Sequence, residues 1–429
     1  MWKSWPVFGK PSVYAQDHLR KSEQWLAQAA RREAVKAAMI TSQLEMIHRQ
    51  QGYPLKCAER AGRIAFALIL TAMQPVFGQS VGAAKLKTGK EIFQAGCAGC
   101  HGSDGRGAPQ STIGFSKPDT FPDFTQCDQT TPEDNRAWRS VIRDGGPSRG
   151  FSQIMPSFKE ALTAEQINLV IDYMRGFCKD KRWPRGEFNL PRALATEKAF
   201  PENETVITTT FNAGGVPGVS NEIVYEHRFG VKNQLELTLP VDFLRPERGR
   251  WYGGIGDLGI GFKRELFSSV RTGSILSLFG EAILPTGNTS HDLGKGVASF
   301  EAFAAYAQLL PWKSFVQLQG GAGLPVDTRK SPDSLFLRAA VGKSFNQTEG
   351  LGRMWSPMVE ILADRDLQTG ARTNWDLMPE FQVTLSRRQH IRFDVGLRIP
   401  AANTSGRHKQ VMFYLLWDWQ DGKLLDGWK

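Results

Sequence analysis

Hydrophobic and polar residues follow two different periods along the chain. Between about residues 84 and 180, apolar positions recur at helical spacing, most clearly over residues 162–177, where Thr163 can cap the start of a helix. From about residue 204 to residue 420 the period is two, and about twelve runs of roughly ten to fourteen residues alternate in polarity. The pattern therefore predicts a small all-α domain followed by a larger all-β domain.

The predicted strands present one apolar face and one charged face. Residues 390–399 give the clearest alternation, and residues 234–243 and 410–419 repeat it. Short turns alternate along the chain with longer loops rich in Gly, Pro and Asn. Long strands, alternation and connections of this kind are typical of bacterial outer-membrane barrels. We therefore predict an antiparallel up-and-down barrel of about twelve strands over residues 204–420.

A membrane barrel would turn its charged residues inward and place tryptophans near the membrane interfaces. The predicted interior residues are Glu226, Arg228, Glu281, Arg338, Arg392, Asp394 and Arg398, and the predicted interfacial residues are Trp375, Trp417 and Trp419. A water-soluble sandwich or barrel with its charged face outside is the alternative. The strand lengths favour the membrane barrel, because soluble strands usually have about five or six residues. The polar end of the chain, residues 421–429, departs from barrels that end on an aromatic strand.

The helical domain contains a Cys-x-x-Cys-His motif formed by Cys97, Cys100 and His101. Two thiols at this spacing can add to the vinyl groups of one porphyrin edge, and the next imidazole then lies beneath the iron. A zinc site would need a second Cys-x-x-Cys motif, and a redox dithiol would need a βαβ pattern; the sequence has neither. The motif therefore predicts one covalent haem c with His101 as an axial iron ligand.

Met155, in the Pro-stiffened stretch over residues 151–158, is the predicted second axial ligand. A thioether ligand raises the reduction potential of haem iron. No histidine lies between residues 102 and 226, which excludes a second imidazole from this domain. Met174 is the competing methionine, but it falls inside the predicted terminal helix. Two occupied axial positions leave no place for a substrate, so we expect an electron carrier and not an enzyme.

At this point residues 84–180 resemble a class I cytochrome c. The resemblance rests on the N-terminal helix, the Cys97 to His101 motif followed by Gly102, a Gly-rich loop, the Met155-Pro156 loop and the C-terminal helix. It implies that the two terminal helices cross and makes Pro109 a candidate for backing the proximal histidine.

The alternating segment over residues 204–420 resembles a family of outer-membrane barrels named for a meta-pathway of phenol degradation. This resemblance extends over the whole predicted barrel and has no sharp motif. It implies the same architecture as the alternation does.

The front of the chain reads as an export signal with additional residues before it. A charged stretch, residues 60–63, precedes an apolar run, residues 64–73, and small residues follow. The run is too short to span a bilayer as a helix, which takes about twenty residues. We predict a signal peptide over residues 46–78 and an untranslated or precursor extension over residues 1–45.

Export would leave four cysteines in an oxidising compartment. Two of them belong to the haem motif, and Cys127 and Cys178 become a candidate disulfide. After Cys178 the chain is polar and contains three prolines, which predicts a semi-rigid linker over residues 181–203.

The net charge of +10 does not indicate a nucleic-acid partner. Residues 1–78 carry 11 Lys and Arg against 5 Asp and Glu, so much of the surplus precedes the predicted domains. The rest of the chain lacks dense Lys/Arg runs with interleaved aromatic residues.

These features together predict a mono-haem cytochrome in the periplasm, fused to a β-barrel in the outer membrane of a bacterial cell envelope. The expected role is electron transfer between periplasmic redox proteins and a donor or acceptor at or beyond that membrane. Two alternatives stay open. One is a barrel transporter for small aromatic or apolar compounds with an accessory cytochrome; the other is a soluble periplasmic electron carrier with a β-rich docking module.

Overall fold

The computed structural model describes residues 86–245, 249–346 and 350–418. The predicted signal peptide over residues 46–78, the extension over residues 1–45, Trp419 and the polar end of the chain lie outside these ranges. The described residues belong to one compact unit that begins at Ala83.

In the part of the N-terminal domain that the structure describes there are five α-helices, as the helical spacing predicts. They are α1 Gly89–Gly96, α2 Ala98–His101, α3 Cys127–Thr130, α4 Asn135–Asp144 and α5 Ala164–Arg175. Short 3-10 turns lie at Gln110–Thr112, Gly146–Arg149, Gly186–Phe188, Thr289–His291 and Pro311–Lys313. Among the described helices, none combines the length and apolarity needed to cross a lipid bilayer.

The two terminal helices of this domain, α1 and α5, cross in close contact. Thr88 and Thr163 cap their N-termini through reciprocal capping boxes, which satisfy backbone donors that a helix start leaves free. A Cβ added to Gly89 would lie 2.0 Å from the carbonyl oxygen of Leu169, so only glycine permits this approach. Phe93 and Val170 are fully buried at the crossing.

Thirteen antiparallel strands follow within the described ranges up to residue 418. They are β1 Glu204–Asn212, β2 Gly218–Phe229, β3 Asn233–Leu244, β4 Tyr252–Ile255, β5 Leu258–Ser269, β6 Ser274–Leu284, β7 Ser299–Leu310, β8 Ser314–Pro325, β9 Ser334–Lys343, β10 Trp355–Asp366, β11 Asn374–Thr384, β12 Ile391–Ala402 and β13 Gln410–Asp418.

The strands close into a barrel with twelve strand positions around its wall. Apart from β4 and β5, strands that follow each other in the sequence pair with each other, and β1 pairs with β13 from Glu204 opposite Asp418 to Asn212 opposite Gln410. Strands β4 and β5 both pair with β3, at its two ends, so together they occupy one strand position of the barrel. The predicted count of about twelve is confirmed.

The two faces of the barrel wall have opposite polarity. Apolar side chains stand exposed on the outer face, including Leu237, Ile260, Phe262, Leu278, Leu335, Leu337, Ile361 and Leu377. Buried polar side chains on the inner face include Glu226, Gln234, Glu236, Lys263, Gln317, Glu360 and Asp394. A soluble barrel would have the reverse arrangement, so this distribution contradicts the alternative with its charged face outside.

The segment between the two domains lies inside the barrel instead of spanning solvent. We call residues 186–203 the plug. Its apolar residues Phe188, Leu190 and Phe200 are buried against Phe279 and Phe303 of the barrel wall. The predicted semi-rigid linker is therefore mostly an internal element, and only its first residues connect the domains.

Polar contacts fix the plug to the barrel wall. The backbone N–H groups of Leu194 and Thr196 donate to the carboxylates of Glu380 and Glu360, at 2.9 Å and 2.6 Å. Arg192 pairs with Glu226 at 2.6 Å. Further wall-to-plug bonds join Gln317 to the Pro191 carbonyl, Arg338 to the Ala195 carbonyl, Gln382 to the Arg192 carbonyl and Lys263 to Glu197. Buried polar groups are tolerated when they are paired in this way.

Candidate haem-binding site

A cavity of about 470 Å³ opens in the helical domain beside α2. The four residues that the sequence predicts to bind the haem, Cys97, Cys100, His101 and Met155, all line it. The rest of the wall is largely apolar and aromatic; it includes Phe115, Phe121, Phe124, Trp138, Val141, Ile142, Phe151 and Phe158. The structure therefore brings together residues that lie more than fifty positions apart in the sequence.

The cysteines and the histidine occupy a single helical turn. Cys97 ends α1 and precedes α2, and its carbonyl accepts the His101 N–H at 2.9 Å. The Gly-rich loop then folds back, because the N–H groups of Gly107 and Ala108 donate at 2.8 Å to the carbonyls of His101 and Cys100. These bonds hold the three functional side chains at one end of the cavity.

Cys97 and Cys100 are free thiols, which leaves both available for thioether bonds. Cys97 is half-buried and Cys100 is exposed. Burial, with a smaller contribution from Cys100, raises the pKa of the Cys97 thiol to about 11. The other two described cysteines, Cys127 and Cys178, form a disulfide with their Cα atoms 5.1 Å apart, so they do not compete for this chemistry.

His101 lies between two phenyl rings, with centroid distances of 5.1 Å to Phe121 and 4.9 Å to Phe124. Burial lowers its pKa to about 4, so the imidazole is neutral at physiological pH, as an iron ligand must be. Its Nδ1 atom is buried and has no hydrogen-bond partner among the described residues. Pro109 does not supply that partner, because its carbonyl accepts the N–H and the hydroxyl of Thr112 at 2.9 Å and 2.8 Å.

Met155 is held by a hydrogen bond from the Gly146 N–H to its carbonyl at 3.0 Å. Gly145, at a φ of 84°, could not carry a side chain here without approaching the Met155 carbonyl at 3.1 Å. The competing methionine, Met174, is only 6 % exposed and packs in the core between α1 and α5 while touching the cavity. Met155 is thus the methionine on the loop wall, and Met174 is mainly a core residue.

The residues present fit a haem. An apolar, aromatic cavity, two free thiols, a neutral imidazole and a thioether are the donor set that a c-type haem requires. When bound, the haem would supply one-electron redox chemistry at iron. Cys97 and Cys100 would hold it, and His101 and Met155 would face its iron.

The cavity-wall residues that sequence reasoning did not single out include Glu133, Arg149 and Phe151. Arg149 is only 4 % exposed although arginines are rarely buried. Its partners, the carbonyls of Gly350 and Arg388, are 201 and 239 positions away, so no local signal predicts its burial.

Residues 84–174 match the family model described as cytochrome C oxidase, cbb3-type, subunit III. No curated protein matches the chain. Among solved structures, the chain is similar to an outer membrane channel from Pseudomonas putida F1, with 14% identity, a TM-score of 0.38 and coverage of 53% of this chain and 99% of that chain.

Two further structures have similar coverage. The KdgM porin is 7% identical with a TM-score of 0.32, over 50% of this chain and 98% of that chain. LpxR from Salmonella typhimurium is 11% identical with a TM-score of 0.32, over 50% of this chain and 99% of that chain. The resemblance of the barrel to the phenol meta-pathway family stays a prediction. The family match and the fold together identify residues 84–174 as a cytochrome c-type domain, which implies haem binding.

Proposed function

We propose that the protein is an exported mono-haem c-type cytochrome that transfers electrons at the outer membrane, with the barrel as its membrane anchor. The observation that carries the proposal is the cavity that gathers Cys97, Cys100, His101 and Met155. The two thiols would hold the haem covalently, and the imidazole and the thioether would both bind its iron. A six-coordinate site has no vacancy for a substrate, which favours electron transfer over catalysis. The proposal requires one haem per chain. The ratio of haem, measured by absorbance, to protein mass tests this stoichiometry.

The outer membrane is proposed from the physical chemistry of the barrel wall. Leu237, Ile260 and Leu337 each expose between 43% and 55% of their surface on the outer face. Apolar surface spread around a whole barrel is costly in water and favourable in lipid. A closed barrel also leaves no unpaired strand edge, as a bilayer requires. Both ends of the barrel chain lie at one rim, since Glu204 pairs with Asp418, and the cytochrome domain precedes that rim.

We propose further that the barrel is closed, which disfavours the transporter alternative. The plug occupies the lumen with buried apolar residues and with bonds to Glu360, Glu380 and Gln317. A solute would have to break several buried hydrogen bonds to pass. The barrel therefore serves to anchor the cytochrome and to fix its position.

Conductance measurements in planar lipid bilayers test the closed barrel. We expect no steady channel steps from the full chain, because the plug fills the lumen. A matched variant, Glu360→Ala with Glu380→Ala, removes two carboxylates that bind the plug backbone and should give intermittent openings. Steady, large conductance from the unmodified chain would instead favour the transporter.

A further inference from the structure

Two turns of the barrel reach the wall of the haem cavity. Arg149, which lines that cavity, donates from Nη1 to the carbonyl of Gly350 at 3.0 Å and from Nη2 to the carbonyl of Arg388 at 2.6 Å. Gly350 precedes β10, and Arg388 lies in the turn between β11 and β12. A wall residue of the cytochrome domain is therefore held by the barrel backbone.

The side chain of Arg388 in turn contacts the cytochrome domain. Its side chain is only 2 % exposed; its Nη2 donates to the carbonyl of Gly150 at 3.3 Å, and its Cζ lies 4.3 Å from the ring centroid of Phe151. Phe151 also lines the haem cavity. Arg388 therefore lies one aromatic ring away from the cavity.

A third contact joins the same turn to the cavity wall. The Nε2 atom of His390 lies 3.1 Å from an Oε1 atom of Glu133, which also lines the cavity. Gly350 packs so closely on α4 that an added Cβ would lie 2.4 Å from the carbonyl oxygen of Arg136. The interface is thus fitted at several points and is not a loose tether.

This interface is connected to the proposed axial ligand by short backbone bonds. The N–H of Phe151 donates to the carbonyl of Gly146, and the N–H of Gly146 donates to the carbonyl of Met155, both at 3.0 Å. The segment that carries Arg149 and Phe151 is therefore one hydrogen bond from Met155. A barrel residue that orders this segment also orders the Met155 loop.

Arg388 brings a buried positive charge to this interface. Its Nε and Nη1 atoms are buried and find no hydrogen-bond acceptor in the described part of the chain, and Arg388 forms no ion pair there. A buried cation interacts strongly with any charge that changes nearby, because the surroundings screen it weakly.

We propose that the barrel completes the haem pocket: the turn that carries Arg388 positions the Phe151 and Met155 walls and tunes the reduction potential of the haem. The inference rests on the proposed function, since it requires a haem in this cavity. A ferric haem carries one more positive charge than a ferrous haem, so a nearby buried cation favours the ferrous form. Outer groups of this kind tune a metal centre without touching it.

Redox titration of the full chain and two variants tests this inference. Arg388→Ala should lower the midpoint potential, because it removes the buried charge and the contact with Phe151. Arg387→Ala is the matched control: it removes the same charge from the adjacent, exposed position of the same turn, and its potential should equal that of the unmodified chain.

Arg388→Met keeps much of the apolar stem, and it replaces the alanine variant if that variant does not insert. A midpoint potential that matches Arg387→Ala in whichever Arg388 variant inserts would overturn the inference. Failure of the proposed function would look different, because the unmodified chain would then carry no haem to titrate.

Discussion

We expect the double variant Cys97→Ala with Cys100→Ala to show no haem-stained band after denaturing electrophoresis. Thioether bonds alone keep a haem on an unfolded chain, and these are the free thiols that line the cavity. Each single variant should retain one thioether and therefore keep a haem-stained band. The absorption spectrum of the pyridine complex of its haem should show one unreacted vinyl group.

The matched control for this experiment removes the other described cysteine pair. Cys127→Ser with Cys178→Ser opens a disulfide across a sequence separation of 51, which should cost about 4 kcal/mol of stability on loop entropy. Its folded fraction should still carry covalent haem. A haem-stained band from the Cys97 and Cys100 double variant would contradict the attachment site.

Met155→Ala should lower the midpoint potential of the haem and make the reduced protein bind carbon monoxide. Loss of the thioether removes the ligand that favours reduced iron and leaves one axial position open. Redox titration and the carbon monoxide difference spectrum measure the two effects. The shift in midpoint potential should be larger than the shift caused by a residue that does not bind the iron, such as Arg388, because Met155 faces the iron directly in this proposal.

Met174→Ala distinguishes ligation from packing. Met174 is buried in the core between α1 and α5, so its truncation should cost about 2 to 5 kcal/mol of stability but leave the potential in place. The reverse pattern, with an unchanged potential in Met155→Ala and a lowered one in Met174→Ala, would transfer the ligand role to Met174.

The parts of the fold that the sequence predicts are those specified by local spacing. Cys97, Cys100 and His101 fall within one helical turn, so their order in the chain already gives their geometry. Alternation of polarity likewise predicts the strands, because successive side chains point to opposite faces. The interruption between β4 and β5 at Gly256 and Asp257 cannot be recognised from that alternation. It does not change the number of strand positions around the barrel.

The plug could not be predicted, because its composition is compatible with two environments, water and a polar barrel lumen. A polar segment with prolines is stable in water, and it is equally stable in a lumen that offers buried carboxylates and amides. The groups that decide between them, Glu360 and Glu380, lie 164 and 186 positions from Thr196 and Leu194. Only the closed barrel brings them together.

The same reason explains what was missed at the haem cavity. The four predicted haem-binding residues carry their chemistry in their residue types, whereas Arg149 and Glu133 are wall residues whose partners lie in barrel turns more than 200 positions away. Pro109 is the opposite case. The resemblance to class I cytochromes c made it a candidate for backing His101, but its carbonyl accepts two hydrogen bonds from Thr112.

The most direct test of the central claim is a haem-stained gel of outer-membrane, inner-membrane and soluble periplasmic fractions from cells that express the chain. Each fraction is run with and without boiling, since folded barrels migrate differently from unfolded ones. We predict a haem-stained band in the outer-membrane fraction that shifts on heating. A haem-stained band confined to the soluble periplasmic fraction would contradict the membrane anchor and leave a soluble carrier with a β-rich docking module.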